Sequence, residues 1–319
     1  MPSVRVRALA KINLDLRVLN KRPDGYHELR TIFQTVSLAD QLEISYRRGP
    51  TRIEVKSDFN IPGNLIVKAA DSVLQTAGVT GRVGFVLTKN IPLGGGLGGG
   101  SSDAAAVLLA LPRLIRRPLP FGKLLELAES LGSDITFFLL GGTAAAIGRG
   151  TELFPLPDLP SWNALLVTGG LHVSTPDAYR ALGRQLTTSA PVNMMNDFQS
   201  ALWSVGVARD AGDWEVRNDF ETVVFAQYPQ LKLIKGKLLR LGARPALMTG
   251  SGSTIYGIFP SKSARDRAAV QLRRELPSGQ VHAVTLVSRK RYRALWRGQM
   301  GISVGDELWQ SQRLGRYAK

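Results

Sequence analysis

Cysteine is absent from this chain of 319 residues, and histidine occurs three times. Without cysteine there is no disulfide, no thiolate zinc site and no cysteine nucleophile. The histidines, His27, His172 and His282, are far apart in the sequence and none has a histidine partner at ligand spacing, so an all-protein transition-metal site is not expected. The composition is compatible with a reducing compartment.

Long apolar runs are also missing. The longest, Ala104 to Leu111, is too short to span a bilayer, and the first residues lack the apolar core of a signal peptide. Hydrophobic residues make up 44% and charged residues 21% of the chain, which is ordinary for a globular protein, and the length suits two domains. We therefore expect a soluble cytoplasmic protein with no membrane partner.

Acidic residues are scarce relative to basic ones, 25 against 41, which gives a net charge of +16. A basic protein attracts polyanions such as nucleotides, diphosphates, RNA or membrane surfaces. A solvated basic surface produces the same charge without any such partner. Charge alone therefore does not distinguish an enzyme for anionic substrates from an RNA-binding protein.

Segments with strand patterns and segments with helical spacing alternate without a strict βαβ rhythm, which favours an α+β fold. Val4–Arg7 and Ile12–Val18 alternate like two strands, Asn64 is placed to cap a helix to about Gln75, and a further helix is predicted from about Ser102 to Leu111. Prolines crowd the segment before Trp162 and mark a domain boundary. The predicted division is a first domain, a second domain and a basic C-terminal extension, at 1–158, 159–289 and 290–319.

The strongest local signal is the segment PLGGGLGGGSSDAA, from Pro92 to Ala105. Six glycines in the seven residues from Gly94 to Gly100 leave the backbone N–H groups free to close around phosphate oxygens. A helix follows at once, and its free N–H groups and positive dipole end favour anions. Ser101 and Ser102 are placed to cap this helix, to touch phosphate or to reach Mg²⁺.

Two familiar nucleotide motifs do not describe this loop. Gly94, Gly96 and Gly99 match G-x-G-x-x-G, but a dinucleotide site needs an acidic residue about 20 positions on, and that stretch, Arg116 to Pro120, has none. A P-loop needs Gly-Lys-Ser/Thr after its glycines, whereas Ser101 follows here. A flexible glycine linker is disfavoured because an apolar helix comes next.

Five further motifs accompany the glycine loop, and they are AKINLDLRV from Ala10, RPDGYHEL from Arg22, LGSDITFFLLGG from Leu131, NDFE from Asn218 and TGSGSTIYGIF from Thr249. In this order the set resembles the GHMP kinases, the superfamily of galactokinase and of homoserine, mevalonate and phosphomevalonate kinases. The resemblance covers roughly residues 5 to 287. It implies a two-domain α+β fold, with a ribosomal-protein-like N-terminal domain and a ferredoxin-like C-terminal domain.

The same resemblance implies a reaction. The chain is similar to members of the superfamily that use ATP and Mg²⁺ to phosphorylate the 2-hydroxyl of a methylerythritol linked to cytidine diphosphate, a precursor of isoprenoids. ATP is then expected on the glycine loop, with Pro92, Leu97, Ser101 and Ser102 beside the six glycines Gly94, Gly95, Gly96, Gly98, Gly99 and Gly100. No acidic pair for a metal is evident, so the Mg²⁺ ion is expected mainly on phosphates and water.

Asp134 follows a predicted helix that ends at Gly132, so from the residues alone it is either a cap or a working group. Lys11 lies in an apolar strand, where an isolated lysine usually faces solvent. The resemblance implies instead that Asp134 is the catalytic base and that Lys11 stands beside it. Asn13 is two residues further on, so in a strand it shares the face of Lys11, and we expect it to orient the substrate.

Tyr26 and His27 follow a tight turn, where such residues are usually an ordinary surface pair. The resemblance implies that they recognise cytosine, Tyr26 by stacking and His27 by hydrogen bonding, with Tyr179 on the other face of the base. Gly250 and Ser251 are either part of a tight turn or, as the resemblance implies, a border of the phosphate region.

Two alternatives to this function remain open. Another GHMP kinase, of the mevalonate or homoserine type, shares the loop but does not need the Tyr26–His27 pair. An RNA-binding module would explain the charge and the ribosomal-protein-like domain, but it would not need Lys11, Asp134 and the glycine loop together. We expect a small-molecule substrate, no nucleic-acid partner, and a monomer or a weak homodimer.

Overall fold

The computed structural model describes residues 2–58, 63–183, 192–207, 212, 214–276 and 279–301. Two antiparallel-rich sheets, each covered by helices, form the framework. The first sheet consists of β1 (Ser3–Lys21), β2 (His27–Arg48), β3 (Arg52–Ser57), β4 (Gly81–Thr88), β5 (Thr143–Gly148) and β6 (Glu152–Pro155). The helices in the same part of the chain are α1 (Leu65–Ala77), α2 (Gly99–Leu114), α3 (Phe121–Leu131) and α4 (Ser133–Leu140).

The second sheet contains four strands, β7 (Asn163–Thr168), β8 (Ala246–Met248), β9 (Ile255–Phe259) and β10 (Gln280–Thr285). Their antiparallel order, β10-β7-β9-β8, is that of a ferredoxin-like β-α-β-β-α-β unit. The remaining helices are α5 (Thr175–Leu182), α6 (Val192–Gly206), α7 (Glu221–Gln227), α8 (Pro229–Arg240), α9 (Lys262–Glu275) and α10 (Arg289–Met300). The predicted α+β class is confirmed.

The hairpin of β1 and β2 organises the first domain. β1 pairs along most of β2, while the other edge of β2 pairs first with β5 and then with β4. The turn between them contains Gly25 at φ 85°, the left-handed conformation that the Pro-Asp-Gly sequence predicts. The sequence suggested two separate strands, but β1 is continuous. Register irregularities at Leu9/Lys11 and Asn13/Asp15 interrupt the alternation, because bulges shift the side-chain pattern.

Helix starts agree with the sequence where a capping side chain marks them. Asn64 accepts a hydrogen bond from the Ile66 N–H at 3.0 Å and begins α1, as predicted. Helix α2 differs from its prediction, because it begins at Gly99 and continues one turn beyond the expected end, with Pro112 inside it. Helix α4 was not predicted from the sequence, because its eight residues are too few for a helical period to be recognised.

Helix α10 packs into the hydrophobic core of the first domain rather than projecting from the fold. Tyr292 and Trp296 are each 1% exposed, and the Tyr292 hydroxyl donates to the carbonyl of Phe138 on α4. Residues 290–300 of the proposed C-terminal extension are therefore part of the packed structure, and 302–319 lie outside the described residues. The domain boundaries at 158 and 289 stay predictions. Among the described helices, none is long and apolar enough to cross a bilayer.

Replacing Trp296 with alanine should test the role of α10. Removing a fully buried tryptophan typically costs about 3–5 kcal/mol of unfolding free energy. Trp203 on α6, which is 66% exposed, provides the matched control. We expect urea unfolding to show a loss of several kcal/mol for Trp296→Ala and a change below about 1 kcal/mol for Trp203→Ala. Equal losses in the two variants would contradict the packing of α10.

Candidate active site

A cleft of about 680 Å³ lies between the β1–β2 hairpin, the glycine loop, the start of α4 and the loops of the second domain. It brings together residues that are far apart in the sequence. The predicted site residues that line it are Lys11, Asn13, Tyr26, His27, Gly96, Gly98, Ser101, Asp134, Tyr179, Gly250 and Ser251. Pro92 and Gly95 line a separate cavity of about 580 Å³.

Lys11 and Asp134 meet at the bottom of this cleft. Lys11 Nζ lies 3.5 Å from Asp134 Oδ2 and donates to Asn13 Oδ1 at 2.7 Å. The lysine is 4% exposed, whereas the Asp134 side chain is 33% exposed and can be reached by a ligand. Helix α4 has no side-chain cap hydrogen bond at Gly132. Asp134, in the first turn of α4, is therefore not a capping residue but the partner of a buried cation.

Asn13 joins the two domains at this point. Its Oδ1 accepts from Lys11 Nζ, from Thr249 Oγ1 at 3.2 Å and from the Gly250 N–H at 3.0 Å. Its Nδ2 donates to Thr31 Oγ1 at 2.7 Å. With both ends of the amide engaged and only 3% of the residue exposed, Asn13 holds the lysine and the second-domain loop in one arrangement.

The glycines of the loop serve close packing as well as ligand access. Gly94, Gly96 and Gly98 have φ between 66° and 75°, which disfavours other residues. A Cβ on Gly96 would collide with the Thr249 carbonyl, and one on Gly98 would meet the Lys11 side chain and Phe138. Gly100 differs, because it is exposed and a Cβ there would meet nothing within 4 Å. Part of the loop is thus glycine because β1, α4 and the second domain press against it.

The two serines after the loop have different surroundings. Ser101 lines the cleft, whereas Ser102 is 2% exposed and donates from Oγ to the Leu9 carbonyl at 2.7 Å. In this conformation the Ser102 hydroxyl is directed to β1 and not to the cleft. Leu97 is also buried, and its carbonyl accepts from the Lys11 N–H at 3.0 Å. Of these three residues, only Ser101, in the first turn of α2, lines the cleft.

Aromatic side chains form the outer end of the cleft. The His27 ring stacks on Tyr179 with centroids 4.7 Å apart, and Tyr179 meets Phe220 edge to face at 4.8 Å. Tyr26 is 53% exposed, and the Arg149 guanidinium lies 3.6 Å from its ring centroid. A base that stacks on the face of Tyr179 now covered by His27 must displace the imidazole.

The electrostatics of this aromatic end favour neutral side chains. Burial, and then the positive charge of Lys21, lower the pKa of His27 below 6.5, so the imidazole is neutral at pH 7. Burial, and then the charge of Asp134, raise the pKa of Tyr179, so its hydroxyl stays protonated. Both groups can therefore exchange hydrogen bonds with an uncharged heterocycle without a change of protonation.

The second-domain loop at 249–252 completes the cleft. Gly250 packs against Gly96, and a Cβ added to it would lie 3.0 Å from the Gly96 Cα. The Ser251 and Thr175 hydroxyls share a hydrogen bond of 2.8 Å. Gly250 and Ser251 therefore border the glycine loop, where the sequence analysis expected the phosphate region, although a ligand role for them stays a prediction.

A second buried charge cluster lies beneath the glycine loop. Lys89 donates to Asp40 and, at 2.9 Å, to Asp103 Oδ2, and all three side chains are at most 3% exposed. Asp40 Oδ1 also accepts from the N–H groups of Asn90 and Ile91. Among the residues that the structure describes, none forms a hydrogen bond with Asp103 Oδ1. Burial raises the pKa of Asp103 to about 7; the charge of Lys89 opposes this shift and that of Asp40 adds to it.

Sequence reasoning missed several residues that the fold brings to the cleft or directly behind it. Arg149 and Thr31 occur in segments without a recognisable motif, so no signal in the chain pointed to them. Thr249 and Asn218 belong to motifs quoted above. Nothing in the sequence showed that Thr249 contacts Asn13, or that Asn218 contacts Met248 and Gly250. These are long-range contacts, which a local pattern does not encode.

Two family models match the chain. The model for the GHMP kinases N terminal domain matches residues 64–142, and that for GHMP kinases C terminal matches residues 205–278. The first match contains the glycine loop and Asp134, and the second contains the 249–252 loop. The matched segments thus contribute to both sides of the cleft.

Named relatives extend the match over nearly the whole chain. The chain is 54% identical over 312 residues to 4-diphosphocytidyl-2-C-methyl-D-erythritol kinase from Solibacter usitatus, covering 96% of each. It is 39% identical over 275 residues to the enzyme of that name from Geobacter sp. strain M21, covering 85% of this chain and 95% of that one.

Solved structures agree with this comparison. A crystal structure of 4-(cytidine 5'-diphospho)-2C-methyl-D-erythritol kinase superposes with a TM-score of 0.73 at 38% identity, covering 88% of this chain and 98% of the other. Homoserine kinase from Cytophaga hutchinsonii gives a TM-score of 0.70 at 18% identity, covering 90% and 95% respectively. The latter likeness shows the shared fold alone.

The substitution Asp103→Asn should change how stability depends on pH. An aspartate with a raised folded-state pKa binds its proton more tightly in the folded protein. The stability that this proton contributes is fully present below the unfolded pKa near 3.8 and is lost as the pH rises to the folded pKa of about 7. Removing this group should flatten the decline of unfolding free energy between pH 4 and 7 by up to about 1 kcal/mol per pH unit. Urea titrations at several pH values measure this slope, with Asp58→Asn, at an exposed position after β3, as control. An unchanged slope would contradict the shift.

Proposed function

The chain belongs to the 4-diphosphocytidyl-2-C-methyl-D-erythritol kinases of the GHMP superfamily, and from this premise we propose how its cleft carries out their reaction. The chain is an ATP-dependent phosphotransferase that moves the γ-phosphoryl group of ATP to the 2-hydroxyl of 4-diphosphocytidyl-2-C-methyl-D-erythritol. The observation that carries the assignment of the site is the meeting of Lys11 and Asp134 between the glycine loop and an aromatic cluster. We expect the enzyme to act in the cytoplasm, as a monomer or weak homodimer.

Asp134 is the proposed general base. Its carboxylate is partly exposed at the bottom of the cleft, so an acceptor hydroxyl can approach it and lose its proton as the oxygen attacks the γ-phosphorus. Phosphoryl transfer depends mainly on positioning and on stabilising charge. Lys11 supplies a fixed positive charge beside the base and next to the loop, where the transferring group would gain negative charge.

The glycine loop and the start of α2 are the proposed phosphate site for ATP. Gly96, Gly98 and Ser101 face the cleft, and the N-terminus of α2 carries N–H groups that favour an anion. Mg²⁺, when bound to the phosphates, would neutralise part of their charge. In the described part of the chain no group of three acidic or histidine side chains could hold a metal. Asp134 and Ser101 are among the oxygen-bearing residues that line the cleft, so phosphates and water would supply most of the coordination of the ion.

The aromatic end of the cleft is the proposed cytidine site. Tyr26, His27 and Tyr179 provide two ring faces and one neutral imidazole, which suit stacking on cytosine and hydrogen bonding to its edge. Arg149 and Lys21 line the same end of the cleft. Both side chains are exposed, and the Arg149 guanidinium lies over the Tyr26 ring, so they are available to pair with the diphosphate that links the base to the acceptor alcohol.

The acceptor requirement tests this function. The parent enzyme should phosphorylate 4-diphosphocytidyl-2-C-methyl-D-erythritol and use free 2-C-methyl-D-erythritol 4-phosphate poorly, because the free phosphate lacks the base and its diphosphate. Tyr26→Ala should lower kcat/KM for the full acceptor about ten- to hundredfold, since base stacking is worth about 1–3 kcal/mol. Phe154, which is 52% exposed and does not line the cleft, is the matched control. Equal use of the two acceptors would favour a different GHMP kinase.

The base is tested by Asp134→Asn, which keeps the shape of the side chain and removes its charge. General-base catalysis contributes about 10²–10⁴-fold, so kcat should fall by a similar factor, while ATP affinity measured by calorimetry should change little. Asp58→Asn, at an exposed position after β3, serves as control. Lys11→Met should also lower kcat, and the double variant should lose less than the product of the two effects, because the residues act as one unit. Near-parental kcat in a folded Asp134→Asn protein would remove Asp134 from the mechanism.

A further inference from the structure

The segment 218–221, Asn-Asp-Phe-Glu, lies behind the cleft and connects the two domains. Phe220 lines the cleft, but Asn218 does not and is 4% exposed. The backbone on either side of Asn218 pairs with β1, because the Leu16 N–H donates to the Arg217 carbonyl and the Asp219 N–H donates to the Leu16 carbonyl. The segment is therefore attached to the strand that carries Lys11.

Asn218 also attaches this segment to the second-domain loop. Its Nδ2 donates to the carbonyls of Met248 at 2.7 Å and Gly250 at 2.8 Å, and its Oδ1 accepts from the Phe220 N–H at 3.0 Å. One amide thereby satisfies two carbonyls at the beginning of the 249–252 loop. Both donors and the acceptor of the amide are used, so its orientation is fixed by the loop on one side and by the Phe220 N–H on the other.

Glu221 and Asp219 reinforce the same connection from either side. Glu221 Oε1 accepts from the Met248 N–H at 2.8 Å, and its other oxygen pairs with Lys235. Asp219 Oδ2 accepts from the Val18 N–H at 2.9 Å. Three of the four side chains in the segment thus hold backbone groups, one in β1 and the others at the start of the loop.

The loop passes this constraint on to the catalytic lysine. The Gly250 N–H and Thr249 Oγ1 donate to Asn13 Oδ1, the atom that also accepts from Lys11 Nζ. If the Gly250 peptide rotated, Asn13 would lose a donor and could turn, and the ammonium would lose its nearest oxygen. An error of about 1 Å in a catalytic group can cost about a hundredfold in rate.

We infer that Asn218 is a positioning residue for phosphoryl transfer: by holding the Met248 and Gly250 carbonyls it aims the Gly250 N–H at Asn13 and so sets the Lys11 ammonium against Asp134. This inference rests on the proposed function, since it assigns Asn218 to the step that Lys11 and Asp134 carry out. Asn218 acts through the 248–250 backbone and Asn13, and it does not itself line the cleft.

The test uses two substitutions of Asn218 in the full-length enzyme. Asn218→Asp keeps the acceptor for the Phe220 N–H but replaces both N–H donors by a carboxylate oxygen, while Asn218→Ser leaves one hydroxyl donor. We expect kcat to fall about ten- to hundredfold for Asn218→Asp and less for Asn218→Ser, with KM for ATP and for the acceptor within about threefold of the parent. Thr222→Val is the matched control. It removes the hydrogen bond from Thr222 Oγ1 to the Asp219 carbonyl, and this bond does not involve the 249–252 loop.

The decisive comparison repeats these substitutions in the Lys11→Met background, with single-turnover rates measured under excess enzyme. If Asn218 acts by positioning Lys11, substituting Asn218 in the Lys11→Met background should lower the single-turnover rate by a further factor of less than about three. Equal losses in both backgrounds, or a parental kcat in folded Asn218→Asp and Asn218→Ser proteins, would overturn the inference. If Asn218→Asp does not fold, Asn218→Ser decides by the same criteria. An inactive parent would instead reject the proposed function.

Discussion

A lysine ammonium that is almost completely buried is the constraint around which this structure is arranged. Removing a cation from water is costly unless oxygen atoms replace the lost solvation. For Lys11 these oxygens come from Asn13 on the same strand and from Asp134 on α4. The irregularities of β1 on both sides of Lys11 and Asn13, and the docking of α4 onto this strand, place these oxygens at one point.

The same constraint explains why the two domains meet as they do. Asn13 Oδ1 is shared between Lys11 and the second-domain loop, so the position of the ammonium and the docking of that loop are linked through one acceptor atom. The approach is backbone to backbone, at Gly96 on one side and Thr249–Gly250 on the other. Glycine is needed there for the close approach, and the same feature keeps N–H groups near the cleft accessible.

The second charge cluster shows a different use of burial. Lys89 forms ion pairs with Asp40 and Asp103. None of these three residues lines the cleft that contains Lys11. Lys89 lies beneath Gly99, close enough that a Cβ on that glycine would be 3.1 Å from Nζ. This cluster therefore supports the start of α2 from behind, while the cleft side of α2 remains open. Structural support and the proposed catalysis thus involve separate charged groups on opposite sides of one loop.

The sequence by itself determined the features that depend on neighbouring residues. The α+β class, the Asn64 cap, the Gly25 turn and the glycine loop all follow from local conformational preferences, and the family resemblance pointed to Lys11 and Asp134. Local patterns did not reveal the continuity of β1 or the two-turn helix α4, because bulges and shortness hide their periods. The tertiary structure alone decided that Ser102 faces β1, that α10 fills the first core and that Asn218 reaches Lys11 through the loop. These outcomes depend on groups up to hundreds of residues apart, whose contacts exist only after both domains have packed.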